Sequence, residues 1–154
     1  MAIDPGAVEA YEKHSGDLIA YATVLVGPTE AEDVVADAML RVFTSNRWSR
    51  VRDERGYLFR CVLNQAASAR RRRAVGRDRE RQTWEERVDA APATVDELGA
   101  LTALSVQERA AIYLTYWDDL APRDVATALG ISEGAVRRYL ARARAKLREV
   151  LTHA

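Results

Sequence analysis

PRDVATALGISEGAVRRYL, residues 122–140, reads as two helices joined by a tight turn, the second basic on one side and apolar on the other. Ala126 falls where the first helix must let the second come close, so a larger side chain there would push the pair apart. Val125, Leu129, Ile131, Val136 and Leu140 supply a small shared core, and Gly130 stands just past the first helix, where a left-handed backbone is needed. Ser132 is a good N-cap for the second helix, which is expected to turn Arg137, Arg138, Arg142, Arg144, Lys146 and Arg148 to solvent. An ordinary helical hairpin with a solvated basic face is the alternative. The joint spacing of Ala, Gly and apolar residues, with seven basic and three acidic residues from position 121 onward, favours a helix-turn-helix that reads DNA.

Outward from this stretch, the charge of the chain is patterned although its sum is zero. Residues 1–50 hold 4 basic and 8 acidic side chains, 51–81 hold 10 and 4, 82–120 hold 2 and 8, and 121–154 hold 7 and 3. Two basic zones separated by an acidic one suggest two nucleic-acid contacts, because a strand or duplex rewards local neutralisation of phosphates whatever the total.

Apolar periodicity gives the elements. A helix is expected over 8–26, with Val8, Tyr11, Leu18, Ala22 and Leu25 inward, stopped by Gly27 and Pro28. Thr29 and Glu32 spell a capping box ahead of a stripe of Val34, Val35, Ala38, Met39, Val42 and Phe43 that runs to about Asn46. After a polar connection containing Trp48, Asp53 can cap a third helix with Tyr57, Leu58, Cys61, Val62 and Ala66 inward, ending in four arginines, Arg70 to Arg73. Periodicity then fades, so 76–93 is expected to be a linker with some helix around Trp84. A short helix over 95–103 follows, and Ser105 with Glu108 forms a second capping box that opens a helix reaching Tyr116 or Trp117. No strand-like alternation, glycine-rich phosphate loop or internal repeat is visible. The fold class is therefore all-α: two small helical bundles, 1–75 and 94–154, joined by the linker 76–93.

Other classes are excluded by what the chain lacks. The single Cys61 allows no internal disulfide and is read as a buried apolar residue, while His14 and His153 are too few and too far apart for a metal site. No metal, cofactor or catalytic residues are expected, because no nucleophile paired with a base and no cofactor loop can be found. The N-terminus has no charged-then-apolar signal design and no run approaches membrane-spanning length, so a cytoplasmic location is expected.

With these parts in place the chain resembles the extracytoplasmic-function (ECF) group of bacterial RNA polymerase sigma factors over nearly its whole length. AEDVVADAMLRVF (31–43) is similar to the region 2 helix used against the polymerase core, and YLFRCVLNQAASARRRR (57–73) to the segment that melts and reads the minus-10 element. LSVQERAAIYLTYWDDLAPRDVATALGISEGAVRRYLARARAKL (104–147) is similar to region 4, which reads the minus-35 element. The ordered pair of blocks is far more specific than a helix-turn-helix alone.

The resemblance implies a division of labour in which core polymerase does the chemistry and this chain selects the start site. It implies core docking through Asp33, Val34 and Asp37 on the clamp helices of the largest subunit, with the flap region as a second contact. It implies minus-10 contacts from Arg60, Asn64, Arg70 and Arg71, with Asn64 holding a flipped base and Trp48, Tyr57 and Phe59 near enough to stack on unpaired bases, Tyr57 being the one assigned to the core. Minus-35 contacts fall to Ser132, Arg137, Arg138, Arg142 and Arg144. Promoter DNA, core polymerase and an anti-sigma factor are the implied partners. Ala36, Tyr57 and Tyr139 stand where the family often has Gln, Trp, and Arg or Ser. A conventional helix-turn-helix regulator that binds a palindrome as a dimer is the competing reading, and an interaction module without transcriptional activity is a third.

Overall fold

The computed structural model describes residues 3–80 and 99–152. Six α-helices carry them: α1 (Pro5–Val26), α2 (Pro28–Thr44), α3 (Glu54–Glu80), α4 (Val106–Tyr116), α5 (Pro122–Leu129) and α6 (Glu133–Thr152), with 3₁₀ turns at Trp48–Arg50 and Gly99–Ala103. No strand occurs among the described residues, as the all-α reading requires.

Helix starts follow from caps more than from apolar periodicity. Asp4 accepts a hydrogen bond from the Gly6 amide at 2.9 Å and Pro5 presets the first turn, so α1 begins three residues before the expected Val8. Gly27, at φ 91°, caps the end of α1 and the start of α2 at once. Pro28 takes the first helical position of α2, and Gly27 makes no side-chain cap bond. The expected box at Thr29 and Glu32 is therefore not formed, because Thr29 already lies inside the helix. Asp53 does cap α3, accepting from the Gly56 amide at 3.1 Å. α3 runs on to Glu80 instead of yielding to a linker at Gly76. One interior glycine costs a helix only about 1 kcal/mol, and the charged residues after it are tolerated or good helix formers. The rest of the expected linker, 81–93, lies outside the described residues, as do 94–98 of the expected second bundle.

α1, α2 and α3 form a three-helix unit around Leu18, Leu25, Val35, Val42, Leu58 and Val62, all essentially without solvent exposure. α4, α5 and α6 form a smaller unit around Leu104, Ala110, Val125, Val136, Leu140 and Ala143. The two units pack directly on each other, so their apolar residues make one continuous core. Tyr21 and Phe59 of the first unit are stacked at 4.6 Å, and the Tyr113 ring of the second lies 5.0 Å from Tyr21.

Polar contacts fix this seam. The Arg55 guanidinium grips Asp118 through two hydrogen bonds, at 2.9 and 3.0 Å, and lies 4.2 Å from the centre of the Phe59 ring. Its hydrogen bonding to Asp118 outweighs burial and pushes the Arg55 pKa upward. Arg109 of α4 donates to the Leu25 carbonyl near the end of α1 at 2.8 Å. That arginine is only 3% exposed, and its Nε and second terminal nitrogen have no partner among the described residues. Burial first, and Arg70 nearby second, lower its pKa to about 10.

Candidate nucleic-acid interface

The helix-turn-helix forms as its spelling requires. α5 ends at Gly130, whose φ of 68° and ψ of 34° place it in the left-handed region, and the Ile131 amide returns to the Ala126 carbonyl at 3.0 Å. Ser132 accepts from the Ala135 amide at 3.1 Å, capping α6. Val125 and Val136 are completely buried and Ala126 nearly so, which lets the two helices cross closely. Behind them the capping box at α4 is complete, with Ser105 and Glu108 each satisfying the other's backbone amide.

The basic residues of α6 divide into two groups. Arg137, Arg138, Arg142, Arg144 and Arg148 are exposed. Positions 137, 144 and 148 are spaced i, i+7 and i+11 and so share one stripe, with 138 and 142 on the stripe beside it. Arg137 makes a 3.5 Å contact with Glu133, and Arg144 is steadied by a 3.1 Å hydrogen bond to the Tyr116 hydroxyl. Lys146, expected at the solvent face, is instead half-buried and pairs with Glu108 at 2.6 Å. Burial acts to raise the Glu108 carboxyl, but Lys146 and the hydroxyl and amide of Ser105 together hold it below its ordinary range. Lys146 thus ties α6 to α4 and is taken from the basic face.

The sequence-assigned residues of α3 are split. Asn64 is exposed on the rim of a pocket of about 210 Å³ that Arg41, Arg47, Tyr57 and Cys61 also line. The Gln65 oxygen in the same lining is buried and has no hydrogen-bond partner among the described residues. Arg60 faces elsewhere and donates to the Thr127 carbonyl of α5 at 3.1 Å. Arg70 and Arg71 line a groove of about 480 Å³ that runs to the start of α4 at Ser105 and Val106. Arg73 forms an ion pair with Glu30 of α2.

Of the three aromatic residues placed near the strand, Trp48 is 8% exposed and Phe59 is 4% exposed, so both are core residues and have no free face for a base. Tyr57, assigned to the core, is the half-buried one that reaches the pocket beside Asn64. Burial raises the Cys61 thiol pKa, against smaller opposing pulls from Tyr57 and Arg60, so the thiol stays protonated at neutral pH.

On α2, Asp33 and Asp37 are exposed, but Val34 is 3% exposed and packs into the core of the first unit. It cannot be part of a docking face. The apolar residue on that side is Leu40, 62% exposed, which sequence reasoning missed. Its position at i+7 from Asp33 was the available signal. No helix among the described residues is long and apolar enough to cross a membrane.

Comparison with known proteins matches two family models: Sigma-70 region 2 over residues 10–75 and Sigma-70 region 4 over residues 98–147. The ECF RNA polymerase sigma factor SigL of Mycobacterium tuberculosis is 34% identical over 141 residues, which is 84% of this chain and 80% of that protein. The RNA polymerase sigma-E factor of Streptomyces antibioticus is 30% identical over 131 residues, covering 80% and 72% respectively. Among solved structures, the sigma factor RpoE of Bartonella quintana, in a co-crystal with the anti-sigma factor NepR, superposes with a TM-score of 0.66. It shares 22% identity, with 94% of this chain and 95% of that one covered.

Proposed function

Because the chain belongs to the ECF group of RNA polymerase sigma factors, whose members direct promoter-specific initiation by core polymerase, we propose that its two basic helices read two elements of one promoter. The observation that carries this is α6, a capped recognition helix whose arginines at 137, 138, 142, 144 and 148 are all exposed. Set in the major groove of the minus-35 element, Arg137, Arg138 or Arg142 contacts guanine edges, while Arg144 and Ser132 at the margins fix register on phosphates. A bidentate contact to a base edge is worth about 1–3 kcal/mol of discrimination.

α3 takes the minus-10 element. Asn64 offers both a donor and an acceptor to the edge of an unpaired base, and Tyr57 supplies the neighbouring aromatic wall. Arg60, Arg70 and Arg71 supply charge for the strand. Asp33 and Asp37, with Leu40 between them and the helix end, form the face for the clamp helices of the largest polymerase subunit, and α4 to α6 engage the flap region. An anti-sigma factor that covers the α2 face would block core. The chain is not an enzyme, and it works where core polymerase does, in the cytoplasm.

Run-off transcription with bacterial core polymerase and a genomic promoter library tests this, alongside gel filtration with core. The expected result is co-elution and defined start sites preceded by two spaced elements. Dimers that bind a palindrome without polymerase would instead establish the conventional regulator.

A further inference from the structure

Among the described residues three polar side chains are buried in the core: Gln65, Glu108 and Arg109. Glu108 is held by Ser105 and Lys146, and Arg109 by the Leu25 carbonyl. Gln65 is 4% exposed, and its Oε1 receives no hydrogen from any described residue. An acceptor buried without a donor is costly, and packing alone does not call for one here, since the neighbouring buried positions of α3, Leu58, Val62 and Ala66, are apolar. Gln65 lines the pocket of about 210 Å³ beside Asn64. Ala38 and Val42 of α2 give that pocket an apolar wall, Tyr57 gives an aromatic one, and Arg41 and Arg47 bring guanidinium groups. Gln65 is thus an acceptor without a donor, set in a pocket whose charged groups are all donors.

We propose that Gln65 is a specificity-determining residue of the minus-10 contact. Its Oε1 takes a hydrogen from the exocyclic amino group of an unpaired base, so the pocket accepts adenine or cytosine and rejects thymine and guanine. The proposal rests on the strand-reading role given to Asn64. An amino group projects from its ring and carries a hydrogen to an acceptor set back in a wall. The last torsion of a glutamine side chain is broad, so the oxygen can turn to meet it. On the Watson–Crick edge of adenine or cytosine the amino group sits beside a bare ring nitrogen, which is an acceptor for the Asn64 amide, Arg41 or Arg47. Guanine has an N–H in that place. Thymine has no amino group, and its ring N–H is flanked by two carbonyl oxygens that would face Oε1. Reading the edge of an extruded base in this way, with Tyr57 against its face, needs no movement of the second unit, because none of that unit's residues lines the pocket.

The test uses the full chain with core polymerase on a promoter recovered by run-off, its minus-10 element randomised and the transcripts sequenced. Wild type is expected to favour adenine or cytosine over thymine and guanine about ten-fold at one position. Gln65→Leu keeps the bulk and removes the acceptor, and is expected to erase that preference while the other minus-10 positions and the minus-35 element are read as before. A second arm changes the base instead of the protein, placing purine for adenine, or 2-pyrimidinone for cytosine, at the same position of the non-template strand. Loss of the amino group should cost wild type about ten-fold in initiation and cost Gln65→Leu nothing, and the analogue that has this effect tells which base is used. Should Gln65→Leu fail to fold by circular dichroism, the analogue arm in wild type still decides. Thymine accepted as well as adenine and cytosine at every minus-10 position would overturn the proposal, as would a preference unchanged in Gln65→Leu or analogues that cost wild type nothing. Asn64→Ala separates the two levels. Normal promoter opening in that variant refutes the strand-reading role of the pocket, and the Gln65 proposal with it. Slowed opening in Asn64→Ala, with Gln65→Leu as selective as wild type, refutes only the role of Gln65.

Discussion

Two arginine-rich helices, α3 and α6, differ in where their guanidinium groups go. On α3, Arg55 is bound to Asp118, Arg60 to the Thr127 carbonyl and Arg73 to Glu30, so much of the charge is engaged within the chain. On α6, Arg138, Arg142 and Arg148 stand exposed, and Arg137 makes only a long exposed contact with Glu133. The segment with the larger excess of positive charge in the sequence is thus the less available one. Charge counted along a chain measures supply; packing decides how much of it a phosphate can reach.

The comparison breaks most sharply on α6. Arg137→Ala combined with Arg142→Ala is expected to weaken binding to a minus-35 duplex about 30-fold or more, at about 1 kcal/mol or more per lost contact, and to flatten its salt dependence. Co-elution with core polymerase should stay as in wild type. Equal loss of both would mean that α6 had been unfolded. On α3 the expected effect is smaller and of another kind. Asn64→Ala should slow promoter opening about ten-fold while leaving closed-complex affinity intact, as read by permanganate footprinting over time. Normal melting would remove Asn64 from the base-reading face.

The helix-turn-helix was legible in the sequence because each of its determinants is local. Gly130 at the turn, Ser132 at the cap, and Val125 with Val136 at the crossing act on neighbours within a few turns of chain. The seam was not legible. Arg55 and Asp118 are separated by 63 positions, and Arg109 and Leu25 by 84, and nothing in either local pattern marks the pairing. A lone arginine inside the apolar stretch of α4 was the one hint that a buried charge needed an acceptor elsewhere. The aromatic residues around the strand site were misassigned for a related reason. Trp48 and Phe59 have the chemistry to stack on bases, but their burial against α1 and the second unit depends on tertiary packing. Thr29 and Glu32 match the letters of a capping box, and the preceding Pro28 starts the helix ahead of them.

Two smaller effects sharpen the contrast between the units. The smaller unit depends on Glu108, whose pKa is depressed by Lys146 and Ser105 against the opposing effect of burial. A group with a folded pKa below its unfolded value contributes stability above the unfolded value, about pH 4.3 for a glutamate, and loses it as pH falls through the folded value. Glu108→Gln should therefore lower the melting temperature at neutral pH, by about 1–2 kcal/mol of stability, and flatten its decline in acid. A variant that keeps the wild-type acid limb would show that the Lys146 pair does not stabilise the fold. Last, Ser105→Ala should cost about 1 kcal/mol, whereas Thr29→Ala should fall within about 0.5 kcal/mol of wild type in urea titrations. Similar costs would mean that Thr29 caps α2 after all.

Gly27 joins α1 to α2 with no residue to spare, closing one helix on the Thr23 carbonyl at 2.8 Å and opening the next. Leu25, whose carbonyl anchors Arg109, lies just before that corner, and Asp33, Asp37 and Leu40 follow it along α2. A joint of one residue has no slack to absorb a tilt. The outward face of α2 and the carbonyl that moors α4 are therefore placed by the same turn of backbone, one on each side of it.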